Sequence, residues 1–436
     1  MSTNGASDPG TKPSPPVPQQ QQLHTLPIAN RSKEGFSYLQ AAGYLITFLV
    51  GACCINGSHF VLWPLKWVNR GLYDAAIKWT KKAFGTLVVL MCQWFAPTKF
   101  VITTEGMDES IFVKDPKTGK VTDIKLPEKL VIISNHQVYL DWWYLWCLTY
   151  FMNVHGSVII TLKKSLKWVP IVGWGMQFFD FIFLARSWDA DKIQLGTHLT
   201  RIGEEAQTND DPLSLIIYPE GTLVSNNTRP LSKKYADKQG IADMRNCLLP
   251  RSTGLLFALR TLSPYVPGLH VLDITMGYPG IPPAGYGQSY YTLRSVFLDR
   301  VPPPELHIHM RMYQVARDVP IGDVGHAKDG NVGRGAEASE EEKKVFEEWL
   351  IRRWREKDDL LEAFYRTGRF FSGNENPVES TAGEVEGEGK GKMKGVDAVE
   401  IPLEVRSGMD ILQAYCWFLP WVVWYECKKV KGTIFG

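Results

Sequence analysis

The apolar positions along this chain change rhythm several times, and each change marks a boundary. Residues 1–34 are rich in Pro, Gln and Ser with few large apolar side chains, so this tail is expected to be disordered. From Gly35 to Leu65 no Asp, Glu, Lys or Arg occurs. Two apolar runs, Tyr38–Ile55 and Phe60–Leu65, flank the polar Asn56-Gly-Ser-His, a length sufficient to span a bilayer at roughly 20 residues per crossing. Lys66, Arg70, Lys78, Lys81 and Lys82 follow. By the positive-inside rule they leave the bulk of the chain on the cytosolic side. A second uncharged run, Ala83–Thr98, is short for a crossing and predicts a membrane-embedded or interfacial helix. A third, Ile411–Tyr425, carries Trp417, Trp421 and Trp424 around Pro420 and predicts an interfacial or re-entrant anchor.

The middle of the chain alternates between short apolar runs and helical spacing. Leu130–Ser134, Val158–Leu162, Phe179–Leu184, Leu213–Tyr218, Val271–Met276 and His307–Tyr313 read as strands. A Trp-rich stretch through Tyr150, then Asp191–Gln207 and Leu255–Leu262, reads as helices. Such alternation predicts an α/β fold with a mainly parallel sheet flanked by helices. The expected organisation is a disordered tail (1–34), membrane-anchoring helices (35–98), an α/β domain (99–320), a charged amphipathic helix (340–370), a disordered linker (373–400) and a C-terminal membrane-associated segment (409–427).

Composition narrows the class. The 48 basic residues nearly balance the 46 acidic ones, so no overall field marks a nucleic-acid binder. The seven cysteines form no CxxC pair and read as small buried hydrophobes, neither a disulfide framework nor a zinc site. His307 and His309 alternate on one strand face with Arg311, which reads as a solvated face and not as a metal site.

The sharpest chemical signal is Asn135-His136-Gln-Val-Tyr-Leu-Asp141, beginning where the strand through Ile133 ends. Ligands of open α/β sheets bind at the carboxyl ends of strands. Five residues apart, His136 and Asp141 do not share a face of a regular helix. With the histidine in the strand-to-helix turn and the aspartate one turn inside, they can meet. The carboxylate would then hold one ring nitrogen as N–H and leave the other to take a proton. Pro219-Glu220-Gly221-Thr222 follows another strand and can face the same crevice, with glutamate a candidate acceptor of hydroxyl hydrogen bonds. Lys163 and Arg186 each lie just beyond an apolar strand and are candidate phosphate contacts. Leu249-Pro250-Arg251-Ser-Thr-Gly254 opens a helix and can present backbone N–H groups to an anion.

In this order and at these strand ends, the blocks resemble the glycerolipid acyltransferases defined by an NHx4D motif, the 1-acylglycerol-3-phosphate acyltransferase family. The second block resembles Phe183-Leu-Ala-Arg186, the third Pro219–Thr222 and the fourth Leu249–Gly254. Ala185 departs from the acidic residue that many members carry before the arginine. Ser289–Pro320 and Phe346–Phe370 look like the lysocardiolipin and lysophosphatidylinositol acyltransferase branch. The resemblance implies an acyl-CoA-dependent O-acyltransferase without cofactor or metal, acyl-CoA being a co-substrate. His136 is then the general base and Asp141 its orienting partner. Lys163, Arg186, Glu220, Gly221 and Thr222 are implied around the acceptor phosphate and glycerol, and Pro250 and Arg251 on the acyl-CoA side. The implied partners are acyl-CoA, a lysophospholipid and membrane lipids, with neither nucleic acid nor a required protein partner. The implied location is the endoplasmic reticulum membrane, with mitochondrial outer membrane and lipid droplet as alternatives. Rival readings are a 1-acyl-sn-glycerol-3-phosphate acyltransferase making phosphatidic acid, a serine hydrolase, and an inactive membrane scaffold. The absence of a G-x-S-x-G elbow weakens the hydrolase.

Overall fold

The computed structural model describes residues 23–31, 37–185, 187–324, 337–370 and 398–416. Arg186 and most of the third uncharged run, from Trp417 onward, lie outside the described residues.

Two long helices lead. Helix α1 (Tyr38–Leu62) starts at Ser37, whose hydroxyl accepts from Gln40 N–H, and α2 (Arg70–Phe95) starts at Asn69, whose side chain accepts from Leu72 N–H. Both are polar N-caps. By length and composition, Tyr38–Val68 is one stretch capable of crossing a membrane. Tyr38, Leu39 and Ile46 on α1 and Trp67 and Val68 beyond it are strongly exposed. The second uncharged run behaves differently from the interfacial expectation. It forms the last half of α2, and Leu87 through Cys92 are fully buried inside the protein.

Strands β1 (Lys99–Glu105), β4 (Lys129–Ser134), β5 (Val158–Lys163), β6 (Ile182–Leu184), β7 (Leu213–Ile217), β8 (His270–Gly277), β9 (Glu305–Gln314) and β10 (Val399–Pro402) form one sheet in the order β10-β1-β9-β8-β4-β7-β5-β6. A separate ribbon pairs β2 (Phe112–Lys114) with β3 (Val121–Ile124). Pairing is parallel from β8 through β4, β7 and β5 to β6, and between β1 and β9. It is antiparallel at β8–β9 and β1–β10. The α/β, mostly parallel sheet flanked by helices is thus present. The core strands are buried on both faces and read as near-continuous apolar runs, Leu130–Ile133 being fully buried.

Helices cover both faces: α3 (Asp141–Phe151), α4 (Val172–Phe178), α5 (Trp188–Thr208), α6 (Arg229–Gln239), α7 (Ser252–Leu262), α8 (Glu340–Thr367) and α9 (Gly408–Ala414). One apolar cluster joins α1, α2 and α3 to the sheet. The other lies beneath α5, α7 and α8. Helix α8 opens with a reciprocal capping box between Ser339 and Glu342 and ends at Gly368, whose φ of 77° closes the helix.

Several sequence expectations shift. The third apolar run is a strand only over Ile182–Leu184, because α4 extends to Phe178 and a turn at Asp180 follows. Residues 23–31 of the tail expected to be disordered are held by Arg31, which donates to Tyr290 O at 2.7 Å. Strand β10 begins at Val399, inside the expected linker, because Ile401 and Leu403 bury against the sheet. His307 and His309 are buried, not solvated, packed near the rings of Phe364 and Phe370. Cys53 and Cys54 are exposed, whereas Cys92, Cys147, Cys247 and Cys416 are buried, all as free thiols.

Candidate active site

Parallel pairing brings the carboxyl ends of β4, β7 and β8 side by side. Asn135 leaves β4 and locks onto β8 through two hydrogen bonds: its Nδ2 donates to Met276 O at 3.0 Å and its Oδ1 accepts from Met276 N–H at 2.8 Å. The chain then turns, and His136 stands at the edge with its side chain 18% exposed. Asp141 is the first residue of α3, earlier than the position one turn inside that the spacing suggested. A carboxylate there also suits the positive end of the helix dipole.

The two side chains meet. His136 Nδ1 lies 2.8 Å from Asp141 Oδ2. The same oxygen accepts from the N–H groups of Gln137 (2.8 Å) and Val138 (3.1 Å), and Oδ1 accepts from the Tyr278 hydroxyl at 2.5 Å. Four donors on one fully buried carboxylate make it an acceptor throughout. Nδ1 therefore carries the proton, and Nε2, with no partner among the described residues, presents its lone pair. The imidazole stacks on Tyr218, centroids 4.2 Å apart. Burial pushes the hydroxyls of Tyr218 and Tyr278 well above the usual phenol range, so both stay neutral; Tyr278 donates to Asp141, and the Tyr218 hydroxyl has no partner among the described residues.

Glu220 is placed behind the histidine and not in front of it. Its Oε1 accepts from His136 N–H at 3.1 Å and Trp354 Nε1–H at 3.3 Å, and its Oε2 accepts from Leu248 N–H at 3.1 Å. Both oxygens are thus committed inside the protein. Burial raises its pKa to about 8, outweighing these N–H donors and the nearby Lys357 ammonium. Gly221 adopts φ 71°, a backbone conformation that favours glycine. A Cβ there would sit 3.8 Å from the Arg251 side chain. Arg251 N–H donates to Pro219 O at 2.8 Å, so the third and fourth blocks touch. Val224 N–H donates to His136 O at 3.1 Å and straps the first to the third. Thr222 is half-buried, Pro250 is buried and Arg251 is exposed. Lys163 is exposed at the carboxyl end of β5, on the same edge of the sheet.

A support that sequence reasoning missed comes from α8. Asp358 accepts from the N–H groups of Arg245 (2.9 Å), Asn246 (2.6 Å) and Cys247 (2.9 Å). Asn246 O in turn accepts from Gln137 Nε2 at 2.8 Å, beside the dyad. Lys357 reaches Asp273 Oδ1 at 2.6 Å and Ile274 O at 2.7 Å, both groups of the ion pair being almost fully buried. A signal existed: Phe346, Leu350, Trp354, Leu361 and Phe364 make a buried stripe on α8, and Lys357 and Asp358 sit in its phase. Charges on an apolar stripe imply buried partners. Arg229 is also absorbed structurally, its guanidinium donating to the carbonyls of Met244, Arg245 and Cys247.

A family described as "Acyltransferase" matches residues 119–277, and "Acyltransferase C-terminus" matches residues 337–386, which include α8. An uncharacterized acyltransferase of Schizosaccharomyces pombe is 35% identical, the match covering 75% of this chain and 85% of the relative. The chain belongs to the 1-acylglycerol-3-phosphate acyltransferase family. It is an O-acyltransferase. A 2-acyl-1-lysophosphatidylinositol acyltransferase of Saccharomyces cerevisiae is 37% identical, covering 67% of this chain and 76% of the relative. Lysocardiolipin acyltransferase 1 of Danio rerio is 31% identical, covering 74% and 71%. No solved structure matches.

Proposed function

We propose that this O-acyltransferase moves a fatty acyl group from acyl-CoA onto the free glycerol hydroxyl of a lysophospholipid that carries a headgroup, of the lysophosphatidylinositol or lysocardiolipin type. The observation that carries the reaction is the His136–Asp141 pair, with Nδ1 committed at 2.8 Å and Nε2 unpartnered at a solvent-accessible edge. Nε2 takes the proton of the acceptor hydroxyl as that oxygen attacks the thioester carbonyl carbon. The tetrahedral intermediate collapses, the C–S bond breaks, and the departing coenzyme A thiolate recovers the proton from the imidazolium. Asp141 holds the ring and stabilises its charged form, a role worth on the order of 10²–10⁴ in rate for the base it orients.

Lys163 and Arg186 would grip the acceptor phosphate, and Gly221 and Thr222 would approach its glycerol. Arg251, exposed beside Gly221, would face acyl-CoA. Glu220 serves the site by holding the His136 backbone. The exposed apolar surface of α1 supports membrane residence, with the endoplasmic reticulum and a cytosol-facing catalytic edge as the location we favour. The headgroup assignment rests on the names of the yeast and zebrafish relatives. It is tested by comparing kcat/KM of the purified protein for lysophosphatidylinositol, lysocardiolipin and lysophosphatidic acid at a fixed acyl-CoA concentration. The proposal expects a headgroup-bearing acceptor to lead by about tenfold, equivalent to 1.4 kcal/mol in the transition state. A tenfold lead for lysophosphatidic acid would make this a phosphatidic-acid-forming enzyme with the same chemistry.

A further inference from the structure

At the amino-terminal edge of the sheet, away from the dyad, lies a cavity of about 780 Å³. Its floor is formed where β5 and β7 begin, at Ser157 and Leu213, and its walls come from α1, α2, α4 and α5. Strand β4 runs parallel to β7, from the pairing of Lys129 with Leu213 to the turn that bears His136. Six residues of strand set the two places roughly 20 Å apart.

Lys81 projects from α2 into this cavity, and only 6% of it is exposed. It makes no hydrogen bond or ion pair among the described residues. Its ammonium instead faces two aromatic rings, 5.8 Å from the centroids of Phe179 and Phe181. Neighbouring carboxylates are spoken for: Asp74 pairs with Arg70, Asp211 with Lys78, and Asp180 and Glu205 with Arg201. Burial lowers the Lys81 pKa to about 8, which still leaves it mostly charged at neutral pH. A largely buried ammonium whose neighbouring carboxylates, Asp180 and Glu205, are already paired with Arg201 is costly unless something supplies a counter-charge.

The mouth indicates what could. Phe60 and Trp63 at the end of α1 and Trp174 on α4 line it, each about half exposed. Trp67, Val68 and Trp168 continue the apolar surface outside. Aromatic side chains of this kind concentrate where a bilayer meets water. The volume falls in the range of small-molecule sites, large enough for a headgroup and the first part of its chains.

We infer that this cavity binds the phosphodiester headgroup of a membrane phospholipid, with the single negative charge on Lys81 and the acyl chains leaving past Phe60, Trp63 and Trp174. The site is separate from the catalytic edge and does not rest on the acceptor assigned above. Of the other cations lining the cavity, Arg70, Lys78 and Arg201 have carboxylate partners and Lys66 is exposed, which leaves Lys81 as the one buried unmatched charge and suits a monoanionic phosphodiester better than a polyanion.

The test measures binding to the full-length protein in an uncharged detergent, following Trp fluorescence and Tm. Three probes are used: a short-chain phosphatidylglycerol below its micellar concentration, inorganic phosphate, and the matching short-chain diacylglycerol. Saturable binding of the phosphatidylglycerol is expected, weakened at least about tenfold by Lys81→Met and restored by Lys81→Arg. Trp174→Ala, at the exposed mouth, should also weaken it. Acyl transfer by Lys81→Met in the same detergent should stay near wild type. Equal binding of inorganic phosphate would reassign the cavity to a free anion, and equal binding of the diacylglycerol would make it an apolar groove. Undiminished phosphatidylglycerol binding by a folded Lys81→Met protein would overturn the proposal.

Discussion

Two lysines are buried among the described residues, and they are solvated in opposite ways. Lys357, beneath the edge that carries His136, has Asp273, Ile274 O and Thr275 Oγ1 within 3.2 Å and the Trp354 ring 5.0 Å away. Lys81, at the far edge, has two rings and the wall of a cavity. The proposed catalytic side has its carboxylates satisfied by the fold itself: Asp141, Glu220 and Asp358 each meet several donors. Such preorganisation lowers the reorganisation needed during reaction. The other edge leaves its charge unmet, as a binding site does when its ligand supplies the missing half.

The largest effect should come from the dyad. His136→Ala is expected to lower kcat by about 10²–10⁴ with membrane recovery unchanged, since it removes the base while Asp141 keeps its three other donors. An alanine variant turning over near the wild-type rate would break the contrast at its root. Asp141→Asn should be severely impaired too, because an amide can offer Nδ1 a donor where an acceptor is needed, favouring the wrong tautomer.

The lysines give the sharpest opposition. Lys357→Met strands Asp273 in the interior and should cost about 3–5 kcal/mol, seen as a large drop in Tm. Lys81→Met strands nothing and should leave the ligand-free Tm unchanged or higher. Similar losses from both would mean that Lys81 has a partner in solution.

Smaller effects test how the carboxylate is held. Tyr278→Phe removes one of four donors to Asp141 and should lower kcat by about tenfold, a hydrogen bond to a charged group contributing roughly 1.5–3 kcal/mol. The Glu220 carboxyl is raised from 4.5 to about 8, so the folded state holds its proton more tightly than the unfolded state. Its contribution to stability is greatest below pH 4.5 and declines as pH rises to about 8. Glu220→Gln should flatten that part of the Tm–pH curve. An unchanged slope would locate the titration elsewhere.

The sequence made the His136–Asp141 pair legible because its contact is local: a strand end, a turn and a helix start within Asn135–Asp141. It also showed most core strands, whose apolar runs are continuous. Glu220 was assigned to the acceptor because strand-end placement does not reveal which way a side chain turns. Only the pairing of β7 with β4, and the arrival of Trp354 from α8, direct it backwards. The Ala83–Thr98 run illustrates another limit. A helix buried by protein and one immersed in lipid share a composition, and only packing against α1 and α3 tells them apart. β1, β10 and the β2–β3 ribbon were not recognised, the shorter ones spanning three or four residues.

The placement of β1 has a consequence for how the protein is made. Lys99 pairs with Glu305 on one side and with Pro402 on the other. A ribosome adding about 5–20 residues per second needs roughly 10–40 s to travel from the first of these positions to the second. Throughout that interval β1 is a nascent strand with both edges unclaimed, beside the most apolar helices of the chain. The outer edge waits longer still, and a chain stopped near residue 370 would never cover it. Such a truncation would expose a sheet edge able to recruit other chains. The distal residues 399–402 thus act as a late seal whose loss should surface first as aggregation during synthesis.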